Sequence, residues 1–131
     1  MSRPLYQKLG IKGNSRILVL NAPKMYTDFF SDFPEFVIID ETVDGTSMDF
    51  IHLFATTTND LEDHLKRAIP CLKKNGMLWI SWPKKTSSLY SEINANDVRK
   101  YGLETGLVDT KVASINLDWS GIKFMYRLKD R

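Results

Sequence analysis

His52, His64, Cys71 and the serines Ser81, Ser87 and Ser88 carry the side chains in this 131-residue chain best suited to nucleophilic or acid–base work. Their settings argue for quieter roles. His52 alternates with Phe50 and Phe54 along the run Asp49–Ala55, so it shares one face of a predicted strand with two phenylalanines. A histidine in that position is expected to be buried and hydrogen-bonded. His64 falls on the polar side of a predicted helix, and Cys71 reads as a helix-packing residue. The two histidines and the cysteine show no metal-ligand spacing, so no metal site is expected. The serines lack the Gly-x-Ser-x-Gly context of a nucleophile elbow.

A second set of residues is grouped by position. In an open parallel sheet, ligands bind beyond the carboxyl ends of the strands, where the chain order reverses. Four apolar runs end at Asn21–Lys24, Asp40–Glu41, Ala55–Thr58 and Trp82–Lys85. Asn21, Asp40, Thr56, Thr57, Trp82 and Lys84 therefore rim a predicted pocket, against the plainer reading of ordinary loop residues and a helix cap. Lys24, Lys84 and Lys85 form a candidate anion site, which the helix N-terminus near Asn59 would assist. Solvated surface lysines are the competing reading. Trp79 and Trp82 are three apart in a strand and point to opposite faces. Trp79 reads as core. Trp82, at the strand end, suits either packing or stacking on a flat ligand ring.

The elements that position these residues follow from hydrophobic pattern. Arg16–Asn21, Phe36–Asp40, Asp49–Ala55 and Met77–Trp82 are short apolar runs without alternation, as expected of strands buried on both faces of a parallel sheet. Leu5, Leu9 and Ile11 mark one or two helical turns, and Lys24 to Phe30 forms a short helix opened by Pro23. The clearest helix has Asn59 as its expected cap and Glu62 three residues on. Leu61, Leu65, Ile69 and Leu72 follow at helical period, and Lys73, Lys74 and Gly76 supply its predicted end. Pro70 predicts a kink or break within it. Asn94 or Asn96 caps a further helix ending near Thr105, with Gly106 as its stop. Val108–Leu117 and Ile122–Leu128 read as strands joined through Asp118-Trp-Ser-Gly121 into an antiparallel hairpin.

The alternation of strands and helices calls for right-handed crossovers. The expected fold is α/β: a single Rossmann-like three-layer domain over residues 1–131. Its sheet is mostly parallel, with about six strands and a C-terminal antiparallel hairpin. Composition agrees, with 43% hydrophobic and 26% charged residues. The net charge of +2 is too mild to predict a nucleic-acid partner. No apolar run reaches the roughly 18 residues of a membrane helix. Met1–Lys8 has no apolar signal-peptide core, and the single cysteine suits a reducing compartment, so a cytoplasmic location is expected.

Two stretches carry a resemblance. Leu72-Lys-Lys-Asn-Gly-Met-Leu-Trp-Ile-Ser81 is similar to the helix end, turn and strand of class I methyltransferases that use S-adenosylmethionine. Asp49-Phe-Ile-His-Leu-Phe54 resembles their central strand. Leu18–Pro23, Trp79–Lys85, Gly106–Val112 and Trp119–Lys123 resemble a bacterial family of short proteins known as a domain of unknown function. The resemblance implies the methyltransferase fold. It also implies that Asn21, Ala22 and Pro23 face the amino-acid part of an adenosyl cofactor. Asp40 or Glu41 would hold its ribose, and Trp82 or Thr56 would border the substrate.

The chain departs from true methyltransferases after its first strand. Their glycine-rich turn, which lets backbone approach the cofactor, is replaced by Asn21-Ala-Pro-Lys24. Proline removes a donor and alanine adds a Cβ. In addition, only about eight residues, Glu41 to Met48, join the second strand to the third, which leaves no room for a crossover helix. A thinly covered sheet face predicts a partner, and homodimerisation is the expectation. The sequence thus points to a small binding or interaction module without resident cofactor or catalysis, taking a small anionic or adenosyl ligand. The alternative is a divergent S-adenosylmethionine-dependent methyltransferase.

Overall fold

The computed structural model describes residues 5–13, 15–23, 38–40, 47–90 and 92–131, with the backbone alone described for 38–40. Helix α1 (Leu5–Leu9) leads to β1 (Arg16–Leu20). Strand β2 (Ile38–Asp40), β3 (Met48–Phe54), helix α2 (Thr58–Ala68) and β4 (Leu72–Pro83) follow. Helix α3 (Ala95–Glu104) precedes the closing strands β5 (Leu107–Ser114) and β6 (Trp119–Tyr126). The helix expected over Lys24–Phe30 lies outside the described residues.

Among the described residues, six strands form one sheet in the order β2-β1-β3-β4-β6-β5. The pairs β2–β1, β1–β3 and β3–β4 are parallel; β6 runs antiparallel to both β4 and β5. The four apolar runs therefore lie side by side in one direction, and the final hairpin closes one edge. The chain passes from one side of β1 to the other between β2 and β3, so the order reverses at β1.

Alternation within the strands divides the core in two. Leu18 and Leu20 of β1, Ile51 and Leu53 of β3, and Leu78, Ile80 and Trp82 of β4 face α2 and α3. Ile17, Val19, Phe50, Phe54 and Trp79 face the other way, against Leu9, Ile11, Ile115 and Trp119. Each fully buried Leu, Ile or Phe contributes about 1.5–3 kcal/mol. Trp79 also donates from Nε1 to the Leu9 carbonyl at 2.8 Å, which satisfies its one polar atom and fixes α1 on the sheet.

The expected long helix through Gly76 is not formed. Helix α2 stops at Ala68, Ile69–Cys71 make a single 3-10 turn, and Leu72 is already extended. Pro70 sits where a continued helix would need its missing N–H, so the break is complete. Lys73–Gly76 instead bulge out of β4, because Leu72 pairs with Met48 while Met77 pairs with Phe50. Gly76 belongs to that bulge. A Cβ there would lie 3.1 Å from the Asp49 carbonyl. Lys73 bonds Asp49 at 2.8 Å, and the Arg16 N–H reaches the same carboxylate at 2.9 Å. These contacts hold the Asp49 carboxyl below its ordinary value, although burial opposes the shift.

Cap positions also move. Thr57, two residues before the expected Asn59, caps α2 by accepting from the Asp60 N–H. Asn94 caps α3 in a reciprocal capping box with Asp97. Gly106 stops α3 at φ 93°. The hairpin turn falls three residues earlier than expected: β5 ends at Ser114 and β6 begins at Trp119. Asn116 turns the chain, its Oδ1 accepting from the N–H groups of Asp118 and Trp119 at 2.9 Å each.

Candidate functional site at the strand ends

Strands β1, β2, β3 and β4 deliver Asn21, Asp40, Ala55 and Lys84 to the same end of the sheet. The chain reverses at β1, so this end is where the fold allows a ligand cleft.

Asn21 takes a left-handed conformation at φ 57°, one that glycine reaches freely and asparagine tolerates best among other residues. The tight turn that glycine makes in methyltransferases is thus made here by asparagine. Its side chain is engaged as well: Nδ2 donates to the Phe54 carbonyl at 2.9 Å, tying the end of β1 to the end of β3. Ala22 is exposed and Pro23 half-buried. Lys24 and Glu41 lie outside the described residues, as does the Asp40 side chain; its backbone ends β2 in register with Leu18.

The N-terminus of α2 is similarly occupied. Glu92, from the segment before α3, accepts from the Thr58 N–H at 2.8 Å and from the Thr58 hydroxyl at 3.2 Å. A chain carboxylate holds the place that an anionic ligand would take. Thr57 is used as the cap, and Thr56 is half-buried beside it.

Trp82 leaves only 6% of its surface exposed and packs with Ile93 and Val98 in the core, so its ring is no open platform. Lys84 turns away from the cleft: its Nζ donates to the Ser114 hydroxyl at 2.7 Å and its N–H to the Asp118 carbonyl at 2.8 Å. Ser87 adds a 2.8 Å bond to the Asp118 carboxylate. The loop after β4 is therefore bound to the β5–β6 turn. Lys85 is exposed.

His52 is fully buried, as its strand position predicts. Its Nε2 lies 2.7 Å from the Ser81 hydroxyl, and its ring stacks on Phe54 at 4.3 Å between centroids. Burial pushes its pKa down to about 3, so the imidazole is neutral near pH 7. This pair lies beneath the strand ends, on the face that carries Trp79. Two hollows bounded by described residues lie elsewhere. One of about 460 Å³ runs between α2 and α3 beside Leu65, Ile69 and Tyr101. Another of about 270 Å³ lies beside Lys12, Asp49 and Asn75 at the opposite end of the sheet. No helix among the described residues is long and apolar enough to cross a membrane.

Sequence reasoning missed Glu92 and the left-handed Asn21. Nothing local links Glu92 to Thr58, 34 residues away. The Asn21 turn has a signal, since asparagine at a strand end before Ala-Pro is a residue suited to positive φ.

Strand order, the antiparallel sixth strand and the flanking helices define the fold of class I S-adenosylmethionine-dependent methyltransferases. The chain is similar to a precorrin-6y C5,15-methyltransferase from Geobacter metallireducens: 9% identity, 94% of this chain and 86% of that chain covered, TM-score 0.63. It is also similar to Aeropyrum pernix fibrillarin, whose structure holds natively bound S-adenosyl-L-methionine, with 12% identity, 92% and 73% coverage and a TM-score of 0.60. For a methyltransferase from Aquifex aeolicus the values are 13%, 94% and 88%, and 0.59. By sequence, the chain belongs to the family described as Protein of unknown function (DUF3052), whose model matches residues 32–128. No curated protein matches it.

Proposed function

We propose that this chain is a non-catalytic binding or interaction module built on the methyltransferase fold. The supporting observation is that polar groups at the described strand ends are spent within the chain. Asn21 bonds Phe54, Glu92 bonds Thr58, and Lys84 bonds Ser114. An anionic group binding at the N-terminus of α2 would have to displace Glu92, and an exposed hydrogen bond of this kind is worth on the order of 1 kcal/mol. Homodimerisation is part of this reading, supported by the short join between β2 and β3. Light scattering at micromolar concentration should give twice the chain mass; one chain mass contradicts the dimer.

The second reading, a divergent S-adenosylmethionine-dependent methyltransferase, is favoured by one observation. Asn21 makes the left-handed turn at the end of β1 that such enzymes build from glycine. In that reading Asn21, Ala22 and Pro23 line the amino-acid part of the cofactor, Asp40 or Glu41 takes the ribose, and Thr56 or Trp82 borders the substrate. Methyl transfer can then rest on positioning without a general base. Calorimetric titration separates the two readings. The module predicts no heat from S-adenosylmethionine or S-adenosylhomocysteine at millimolar ligand; saturable micromolar binding overturns it.

A further inference from the structure

Lys123 of β6 and Lys111 of β5 stand directly opposite each other in the antiparallel hairpin. Opposed residues share a face, and like charges so placed destabilise a sheet. Lys123 is also opposite Trp79 on its other side, so this is the face that α1 covers. Lys111 has one partner, the Lys8 carbonyl at the end of α1, at 3.0 Å. Arg131 returns over the same hairpin: its Nε donates to the Tyr126 carbonyl at 2.8 Å, and its Nη2 lies 3.9 Å from the Met125 sulfur. Met125 lies two residues beyond Lys123 and shares its face. Among the described residues, the side-chain ion pairs are Lys73–Asp49, Arg99–Asp109 and Arg127–Asp130, so none of them joins Lys111, Lys123 or Arg131 to a side-chain carboxylate.

A folded chain gains nothing by placing two further cations beside a half-buried lysine. We infer that Lys111, Lys123 and Arg131 form a binding site for a small phosphate-type oxyanion, either free phosphate or the phosphate of a monoester. Lys111 and Lys123 share one face of the hairpin, and the Arg131 guanidinium lies over the same strand with donors beyond the one that Tyr126 takes, a grouping that suits a compact dianion. The environment of Lys123 agrees: burial, then the charges of Lys111 and Arg131, push its pKa down, which is the state that a bound anion would relieve. The inference is independent of the strand-end reading, because none of these residues belongs to the cleft.

The test uses the whole chain, inorganic phosphate and phenyl phosphate, with sodium chloride at matched ionic strength as reference. Lysine side-chain NMR should show the Lys123 pKa rising as phosphate is added, and the melting temperature should rise with phosphate beyond the chloride effect. Saturation by inorganic phosphate alone identifies the free ion; equal or tighter saturation by phenyl phosphate identifies a monoester. Lys123→Met should melt higher than the native chain without phosphate and weaken phosphate binding about tenfold or more. Arg131→Gln should weaken binding without that gain in melting temperature. Phosphate acting no differently from chloride overturns the site, as does Lys123→Met retaining full phosphate affinity.

Discussion

Asn21 and Phe54 are joined by a 2.9 Å hydrogen bond from Nδ2 to the backbone carbonyl, which closes the sheet where its order reverses. The same residue sets the turn with its backbone and seals it with its side chain. The bond gives this strand end a structural role of its own.

Substitution separates the two roles of Asn21. Asn21→Gly keeps the left-handed turn and loses the bond, so it should cost about 1 kcal/mol or less. Asn21→Ala loses the bond and also strains a φ of 57°, adding about 1–2 kcal/mol. Urea unfolding should rank native, then glycine, then alanine. Equal stability of the two variants would mean that the backbone is not strained.

The buried His52 predicts a specific acid response. Its folded pKa of about 3 lies below the ordinary 6.5, so the unfolded chain binds the extra proton first. The stability held above pH 6.5 is then lost as pH falls from 6.5 toward 3, at up to about 1.4 kcal/mol per pH unit. His52→Gln can still bond Ser81 and does not titrate in this window. The native chain should lose stability faster than this variant between pH 6.5 and 4. Parallel profiles by urea unfolding would show that His52 is protonated in the folded chain.

Gly102 tests the seat of α3. A Cβ at this position would lie 2.3 Å from the Phe124 ring, so Gly102→Ala must displace the buried ring or the helix that packs on it. It should cost about 1–3 kcal/mol. Pairing it with Phe124→Leu should recover part of that loss, since the neighbours share one space. Strict additivity in thermal melts would contradict the contact.

The fold was legible because β1, β3 and β4 are apolar on both faces and therefore read as continuous runs. His52 was legible for a related reason, since strand alternation alone places it between Phe50 and Phe54. Length was harder to read than existence. Ile69 and Leu72 continue the helical period of α2, yet Pro70 ends the helix and releases Leu72 into β4. The partners of the cleft residues were not legible. Glu92–Thr58 and Lys84–Ser114 join residues 34 and 30 positions apart, and only the folded sheet brings them together. The same holds for Lys111 and Lys123, which become neighbours only through the register of the hairpin.

If the chain itself closes the strand ends, millimolar S-adenosylhomocysteine should leave the backbone amide NMR signals of Asn21, Ala22, Thr56 and Thr58 of the native chain in place. Saturable shifts clustered on these four amides would instead show an open, working cofactor cleft.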